Sequence, residues 1–107
     1  MLTINIRYKG KGDAAKRFAE EMISCGAVEA IRREEGNVRY EYYFPLKEDG
    51  CVLLIDSWVD QAALDVHHKS PMMEKIAKLR EKYQLTMEVE RYASIGDNPD
   101  DEKYIRK

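Results

Sequence analysis

Two hydrophobic periodicities follow one another along this chain, and their order is the feature that most restricts its fold. Apolar and polar residues alternate with a period of two, typical of strands, in residues 2–9, 38–44 and 85–95. Residues 51–55 are apolar at every position, which predicts a third strand that is central and covered on both faces. Apolar residues recur at helical spacing between the first two strands and again between the last two. The sequence therefore predicts the element order β-α-β-β-α-β.

This order is that of the ferredoxin-like split unit, an α+β fold with a four-stranded antiparallel sheet and helices on one face only. The helix-free face is not expected to be purely polar. Tyr40 and Tyr42 alternate with Tyr43 in the second strand, so an aromatic residue remains on either side. Trp58 and the Leu54 side of the third strand are expected to add apolar surface there. Because such a face on a monomer usually marks a partner, we expect two copies to pack sheet against sheet as a homodimer with twofold symmetry.

Length and charge exclude several classes of protein. The 107 residues fit one domain, which we assign to residues 1–95, followed by a polar C-terminal tail at 96–107. Lys and Arg number 18 and Asp and Glu number 20, so the net charge is −2, and a nucleic-acid binder with a broad basic face is not expected. No apolar run is long enough to cross a membrane, and the start of the chain lacks a signal-peptide pattern. With 36% charged residues, we expect a cytoplasmic protein.

The sequence contains no pattern typical of a metal site or a tightly bound cofactor. Cys25 and Cys51 form no CxxC motif, so they predict neither a zinc site nor a disulfide framework, and we interpret both as reduced and buried. His67 and His68 are adjacent and would point about 100° apart on a helix, so they do not readily chelate one ion. The glycines after the first strand lack the third glycine of a dinucleotide-binding loop. We therefore expect no metal and no cofactor.

Two runs of residues carry a family resemblance. The run from Trp58 to Pro71 has the pattern W-x-D-x-x-A-L-x-x-H-x-x-S-P, and the run from Glu35 to Tyr40 is EGNVRY. Together with the element order and the length, they resemble the antibiotic biosynthesis monooxygenase family over about residues 1–95. The resemblance implies a dimeric α+β barrel. It also implies an enzyme that oxidises electron-rich aromatics, such as quinols or polycyclic phenols, with O₂ and without a cofactor.

The chemistry implied by this resemblance requires particular side chains. A phenol or hydroquinone must lose a proton before it gives an electron to O₂. The site therefore needs a base, hydrogen-bond donors for the oxyanion and a dry aromatic cavity. His67 is the candidate base because the family motif has a histidine at this spacing after the tryptophan. On this resemblance, the candidate catalytic residues are His67, Asn5 and Trp58, and the candidate substrate-binding residues are Arg7, Tyr40, Tyr42 and Met72.

The same candidates also suit structural roles. His67 could pack and cap a short helix, and Trp58 could anchor the core or the dimer interface, since large aromatic residues dominate such burial. Asn5 and Arg7 lie on the polar side of the first strand, where they could line a cavity or pair across an interface. Met72 could belong to the core or form the floor of a cavity.

Two other functions remain open. The runs GNVRY at 36–40 and HKSP at 68–71 resemble those of phosphorylated autoinducer isomerases, in which Lys69 or Arg39 would contact the phosphate of a small phosphorylated ketone. Met72 stands where many relatives have a second histidine, which counts against that activity. The other alternative is a non-catalytic dimeric domain for ligand binding or stress response. The expected partners are a second copy and a small aromatic or hydrophobic molecule, and not nucleic acid or a membrane.

Overall fold

The computed structural model describes residues 1–107 and contains four strands and four α-helices. The strands are β1 (Leu2–Lys9), β2 (Asn37–Tyr43), β3 (Cys51–Trp58) and β4 (Thr86–Ala93). The helices are α1 (Ala14–Ser24), α2 (Ala27–Arg32), α3 (Gln61–His68) and α4 (Met72–Lys82). A short 3₁₀ helix, Pro99–Tyr104, follows β4 and is exposed along its whole length. None of the helices has both the length and the apolar character required to cross a membrane.

The strands form one antiparallel sheet in the order β2-β3-β1-β4, with helices between β1 and β2 and between β3 and β4. This confirms the predicted α+β, ferredoxin-like architecture. The apolar strand β3 lies between β2 and β1, as its composition predicted. Its pairing with β1 runs without interruption from Trp58 opposite Leu2 to Cys51 opposite Lys9. Between Asn37 and Arg39 the register of β2 on β3 shifts by one residue, which leaves Val38 exposed in a bulge.

The even-numbered residues of β1 and β3 face the helices and form the core. Tyr8 packs on Phe18 of α1 with ring centroids 4.8 Å apart, and Tyr42 meets the same ring edge-on at 6.3 Å. This arrangement follows from the period of two, because alternate side chains of a strand lie on opposite faces. The largest fully buried side chains are Trp58, Tyr8, Phe18, Met22, Ile31, Leu54, Leu64 and Val52.

The helix-free face carries different apolar residues from those expected. Trp58 and Leu54 lie on the helix-covered face and are completely buried within the chain, so the expectation that they add to the open face was wrong. Leu53 and Ile55 alternate with them and lie half-buried on the open face. Tyr43 lies on the open face too, so the prediction that an aromatic residue of β2 remains there is confirmed.

Of three polar residues at helix N-termini, only Asp60 caps its helix. The Asp60 carboxylate accepts a hydrogen bond from the backbone N–H of Ala63 at 2.9 Å, so it caps α3. Asp13 precedes α1 but makes no capping hydrogen bond. Ser70 does not cap α4, because its hydroxyl donates to the His67 carbonyl at 2.7 Å instead. Cys25, interpreted above as buried, is exposed at the end of α1.

A prediction concerns Gly36, which adopts a left-handed conformation (φ +86°) where the turn before β2 meets α3. A Cβ at this position would lie 2.5 Å from the Cβ of Ala63 and 3.0 Å from Val59 Cγ2. Gly36→Ala therefore combines backbone strain with a steric clash, and we expect a loss of ~2–4 kcal/mol in the free energy of unfolding, measured by denaturant titration.

The control is Gly26→Ala. Gly26 has nearly the same φ, +85°, but a Cβ there meets nothing within 4 Å. Gly26→Ala should lower the free energy of unfolding by only ~1–2 kcal/mol, the usual cost of a left-handed backbone conformation in a residue with a Cβ. Equal losses for the two variants would contradict the assigned clash between residue 36 and α3.

Candidate functional site

A cavity of about 240 Å³ lies between the helix-covered face of the sheet and helices α3 and α4. Its volume is somewhat below the ~300–1,000 Å³ that is typical of small-molecule sites. Nine of its fourteen lining residues are hydrophobic, and the polar ones include a carboxylate, two histidines and two arginines. The lining residues are Ile4, Ile6, Tyr8, Tyr40, Leu54, Asp56, His67, His68, Met73, Ile76, Arg80, Met87, Val89 and Arg91.

His67 lines this cavity and is held by a carboxylate from a distant part of the chain. Its side chain is 3% exposed, and its Nδ1 lies 3.0 and 2.9 Å from the two carboxylate oxygens of Glu34. A carboxylate accepts hydrogen bonds and does not donate them, so Nδ1 carries the proton. In the neutral ring Nε2 is then the nitrogen with a free lone pair. Nε2 has no hydrogen-bond partner within the chain, so it is available to a ligand as a proton acceptor.

Trp58 connects His67 to a second acidic group. Its indole ring lies against the His67 ring with centroids 4.7 Å apart, and its Nε1–H donates to Asp56 Oδ1 at 2.7 Å. Asp56 and Trp58 are two residues apart in β3, so both side chains lie on the helix-covered face. One buried aromatic side chain therefore fixes the positions of two titratable groups.

Asp56 is buried and ionises far less readily than an ordinary aspartate. Burial raises the pKa of its carboxyl from 3.8 to about 7. The hydrogen bond from Trp58 lowers this pKa, and the charge of Glu34 raises it, but burial is the largest of the three effects. A carboxyl group with a pKa near neutrality can take up or release a proton under ordinary conditions, which is the property of a general acid–base group.

Two tyrosine hydroxyls contribute hydrogen-bond donors to the cavity lining. Burial raises the pKa of Tyr8 to about 12 and raises the pKa of Tyr40 well above its ordinary value. Both phenols therefore remain protonated at neutral pH. Protonated phenols near an apolar cavity can donate to an oxygen atom that becomes negatively charged.

The sequence-predicted site residues are distributed over three places. His67 and Tyr40 line the cavity, and Trp58 lies directly behind the His67 ring. Tyr42 is packed in the core against Phe18 and Tyr40.

The other three candidates do not join them. Met72 packs against the edge of the core, and its neighbour Met73 lines the cavity instead. Asn5 and Arg7 lie on the helix-free face, because they alternate with Ile4 and Ile6, which face the cavity. The structure therefore brings neither of these two polar residues close to His67.

Sequence reasoning missed Asp56 and Glu34. Asp56 could have been found, because it is a charged residue in phase with Val52, Leu54 and Trp58 on the face of an apolar strand that must be buried. Glu34 carries no comparable signal. It is one of two adjacent glutamates in a turn, and only the fold brings it to His67, which is 33 residues further along the chain.

No group of three or more His, Cys, Asp or Glu side chains is arranged to hold a metal ion. A larger surface pocket of about 440 Å³ lies between the β1–α1 and β2–β3 connections, but most of its lining residues are glycines or charged residues. The apolar cavity with its adjoining acid–base groups is therefore the candidate functional site.

A pH-dependence of stability follows from the raised pKa of Asp56. Between pH 4 and about pH 7 the folded state holds a proton on Asp56 that the unfolded state has released, so stability falls as the pH rises through this range. We expect the ionisation of Asp56 to lower the free energy of unfolding by ~4 kcal/mol between pH 4 and pH 8. Asp56→Asn should remove that part of the pH-dependence, as measured by urea unfolding at a series of pH values.

Asp13→Asn is the matched control, because Asp13 is exposed and makes no capping hydrogen bond. It should leave the pH profile of the wild type unchanged. A profile for Asp56→Asn that runs parallel to that of the wild type would show that Asp56 ionises normally in the folded protein.

Comparison with known proteins relates this architecture to one family. The sequence profile described as "Antibiotic biosynthesis monooxygenase" matches residues 1–79. A Bacillus subtilis protein named "Putative monooxygenase YcnE" is 26% identical over 92 residues, covering 85% of this chain and 95% of that protein.

Solved structures show the same fold. A "putative antibiotic biosynthesis monooxygenase" from Deinococcus radiodurans superimposes with a TM-score of 0.77 at 17% identity, covering 92% of this chain and 95% of that one. SnoaB from Streptomyces nogalater, described as a cofactor-independent oxygenase, gives a TM-score of 0.73 at 20% identity, covering 92% and 96% of the two chains. The profile match spans β1, β2 and β3 and all four helices apart from the end of α4. It includes His67, Trp58 and Asp56. This chain belongs to the antibiotic biosynthesis monooxygenase family.

Proposed function

We propose that this protein is a cofactor-independent monooxygenase that oxidises a quinol or polycyclic aromatic substrate with O₂. The observation that carries the proposal is that two acid–base groups, His67 and Asp56, line one largely apolar cavity. His67 is hydrogen-bonded to Glu34, and Asp56 accepts a hydrogen bond from Trp58. The relatives add support, since SnoaB is described as a cofactor-independent oxygenase and YcnE as a putative monooxygenase.

The first step of this reaction is removal of a proton from the substrate. His67 Nε2 takes the proton, and Glu34 on Nδ1 stabilises the imidazolium that forms. The resulting phenolate or carbanion gives one electron to O₂. The substrate radical and superoxide then combine to a peroxide anion, which takes back the proton from the His67 imidazolium to give a hydroperoxide. Loss of water from this hydroperoxide leaves a carbonyl group. One oxygen atom enters the product and the other leaves as water.

Arg91 and Tyr40 suit the role of oxyanion contacts better than Asn5 and Arg7. Arg91 is paired with Ile4 across β1 and β4, and Ile4 is paired with Asp56 across β1 and β3. The three residues therefore form one row across the helix-covered face, at the end of the cavity where His67 lies. Both Arg91 and Tyr40 line the cavity, so a guanidinium and a phenol are available to a developing negative charge.

The test is oxygen uptake by the purified protein with a panel of hydroquinones and anthrone-like phenols, measured against protein-free autoxidation. Saturable uptake well above the blank is expected. His67→Ala should reduce it by ~10²-fold or more, the usual contribution of a positioned acid–base group. Asp56→Asn should also lower it, because the second titratable group is lost.

Asp13→Asn again serves as control and should retain the wild-type rate. A folded His67→Ala variant with unchanged turnover would remove His67 from the mechanism. A flat result across the whole panel would instead favour the non-catalytic ligand-binding alternative.

We also propose that the helix-free face of the sheet packs against the same face of a second copy, which would complete a dimeric barrel. The half-buried Leu53 and Ile55 and the exposed rings of Tyr43 and Tyr92 lie on this face. Asn5 lies among them, and its Oδ1 is buried without a hydrogen-bond partner within the chain. A buried amide oxygen without a partner is costly, and a partner subunit could supply the missing donor.

The oligomeric state tests this assembly. The wild type should be a dimer by light scattering at micromolar concentration. Ile55→Lys should shift it to a monomer, because the variant buries an unpaired charge at the centre of the interface. Ile23→Lys is the control, since Ile23 is exposed on α1 away from that face. A monomeric wild type would contradict the proposed barrel.

The isomerase alternative has less support from the geometry. Lys69 and Arg39, its candidate phosphate contacts, are exposed, and neither lines the cavity. Lys69 follows the last residue of α3, and Arg39 lies on the helix-free face. A phosphate held by either residue would therefore lie away from the acid–base groups His67 and Asp56.

A further inference from the structure

Arg80 is a cation on the cavity wall without an anionic partner. It is half-buried on α4, it lines the cavity, and no carboxylate forms an ion pair with it. Its Nη1 donates instead to the thioether of Met87, with 3.2 Å between nitrogen and sulfur. A guanidinium has five N–H donors, and a thioether is a weak acceptor, so most of the hydrogen-bonding capacity of Arg80 is unused.

Tyr8 provides a second unused donor at the same end of the cavity. Its side chain is 2% exposed and lines the cavity, yet its hydroxyl has no hydrogen-bond partner within the chain. Tyr8 is paired with Met87 across β1 and β4, so the thioether that contacts Arg80 belongs to the residue beside Tyr8. Burial raises the pKa of this hydroxyl to about 12, while the Arg80 charge lowers this pKa and the Asp56 charge raises it. The phenol therefore remains a donor.

The backbone of Tyr8 and of Met87, the residue that contacts Arg80, lies away from the proposed reaction end. Asp56, Ile4 and Arg91 form one row across the sheet, whereas Val52, Tyr8 and Met87 form another. The rows are four residues apart along each strand, which corresponds to ~13 Å of backbone. An apolar row formed by Leu54, Ile6 and Val89 lies between the two ends.

The charge balance of the lining favours an anion. Asp56 is the one carboxylate among the lining residues, and it already accepts the hydrogen bond from Trp58. Arg80 and Arg91 are both cationic, although the chain as a whole carries a net charge of −2. Positive charge is therefore concentrated at the cavity of an acidic protein.

We propose that Arg80 and Tyr8 form a subsite for an anionic oxygen substituent, such as a carboxylate, of an otherwise aromatic or hydrophobic ligand. The apolar body of the ligand would lie over Ile4 and Ile6, with its other end at His67 and Asp56. The identification of this ligand as the substrate rests on the proposed monooxygenase function, but the subsite itself does not. The competing explanation is that Arg80 only covers apolar surface with its aliphatic stem, as long cationic side chains often do.

Binding of two matched probes separates these explanations. Naphthoate and its uncharged amide, naphthamide, have the same ring system and nearly the same shape, and neither carries a phenol that could react with O₂. Titration calorimetry on the wild-type protein should show naphthoate binding ~10-fold or more tightly than naphthamide, the usual value of a hydrogen bond to a charged group. Equal affinities, or no binding of either probe at millimolar concentration, would overturn the proposal.

Two variants then assign the preference to the two residues. Arg80→Gln should weaken naphthoate binding ~10-fold or more and change naphthamide binding by less than ~2-fold. Tyr8→Phe keeps the buried ring and should weaken naphthoate binding ~3-fold or more. Arg17→Gln is the control, because Arg17 lies on α1 near the Tyr83 ring, outside the cavity. A preference for naphthoate that survives both variants would also overturn the proposal.

This experiment does not depend on turnover. Selective naphthoate binding without any oxygen uptake would leave the anionic subsite standing and remove the monooxygenase activity. Oxygen uptake without a preference for naphthoate would support the monooxygenase activity and overturn the anionic subsite.

Discussion

The hydrogen bond and ring contact made by Trp58 are the interactions on which the rest of the candidate site depends. Trp58 is the last residue of β3, and its backbone is paired with Leu2 on one side and Asn37 on the other. The fixed backbone and full burial leave the indole little freedom. It therefore holds Asp56 through Nε1 and supports the His67 ring, so the two acid–base groups are positioned by the hydrophobic core rather than by mobile loops.

The two faces of the sheet carry different sets of residues because successive side chains of a strand point to opposite faces. The even-numbered residues of β1 and β3 form the core and the cavity, whereas Asn5, Arg7, Leu53 and Ile55 lie on the helix-free face. A one-residue shift in register would exchange these sets, so the apolar residues that fix the register also fix which polar residues reach the cavity. The cavity and the proposed dimer interface are therefore on opposite faces of the same four strands.

Much of the fold could be read from local patterns. The period-two alternation predicted the strands, and the uniformly apolar run from Cys51 to Ile55 predicted the central position of β3. The pattern around His67 indicated the family, and the profile match over residues 1–79 confirmed it. The polar residues were harder to assign. Asn5 and Arg7 were grouped with His67 because their chemistry was suitable, although alternation with Ile4 and Ile6 already placed them on the other face. Asp56 was overlooked although its phase within β3 marked it as buried.

The sequence by itself determined the element order, the central strand and the position of His67 on α3, because these depend on periodicity and on contacts within a few residues. Only the tertiary structure decided that Glu34 orients His67, that Trp58 joins His67 to Asp56, and that Arg80 and Tyr8 share one end of the cavity. These contacts join residues from separate helices, strands and turns. Their side-chain distances, and the burial that raises the pKa of Asp56, exist only once the helices have packed on the sheet and excluded water.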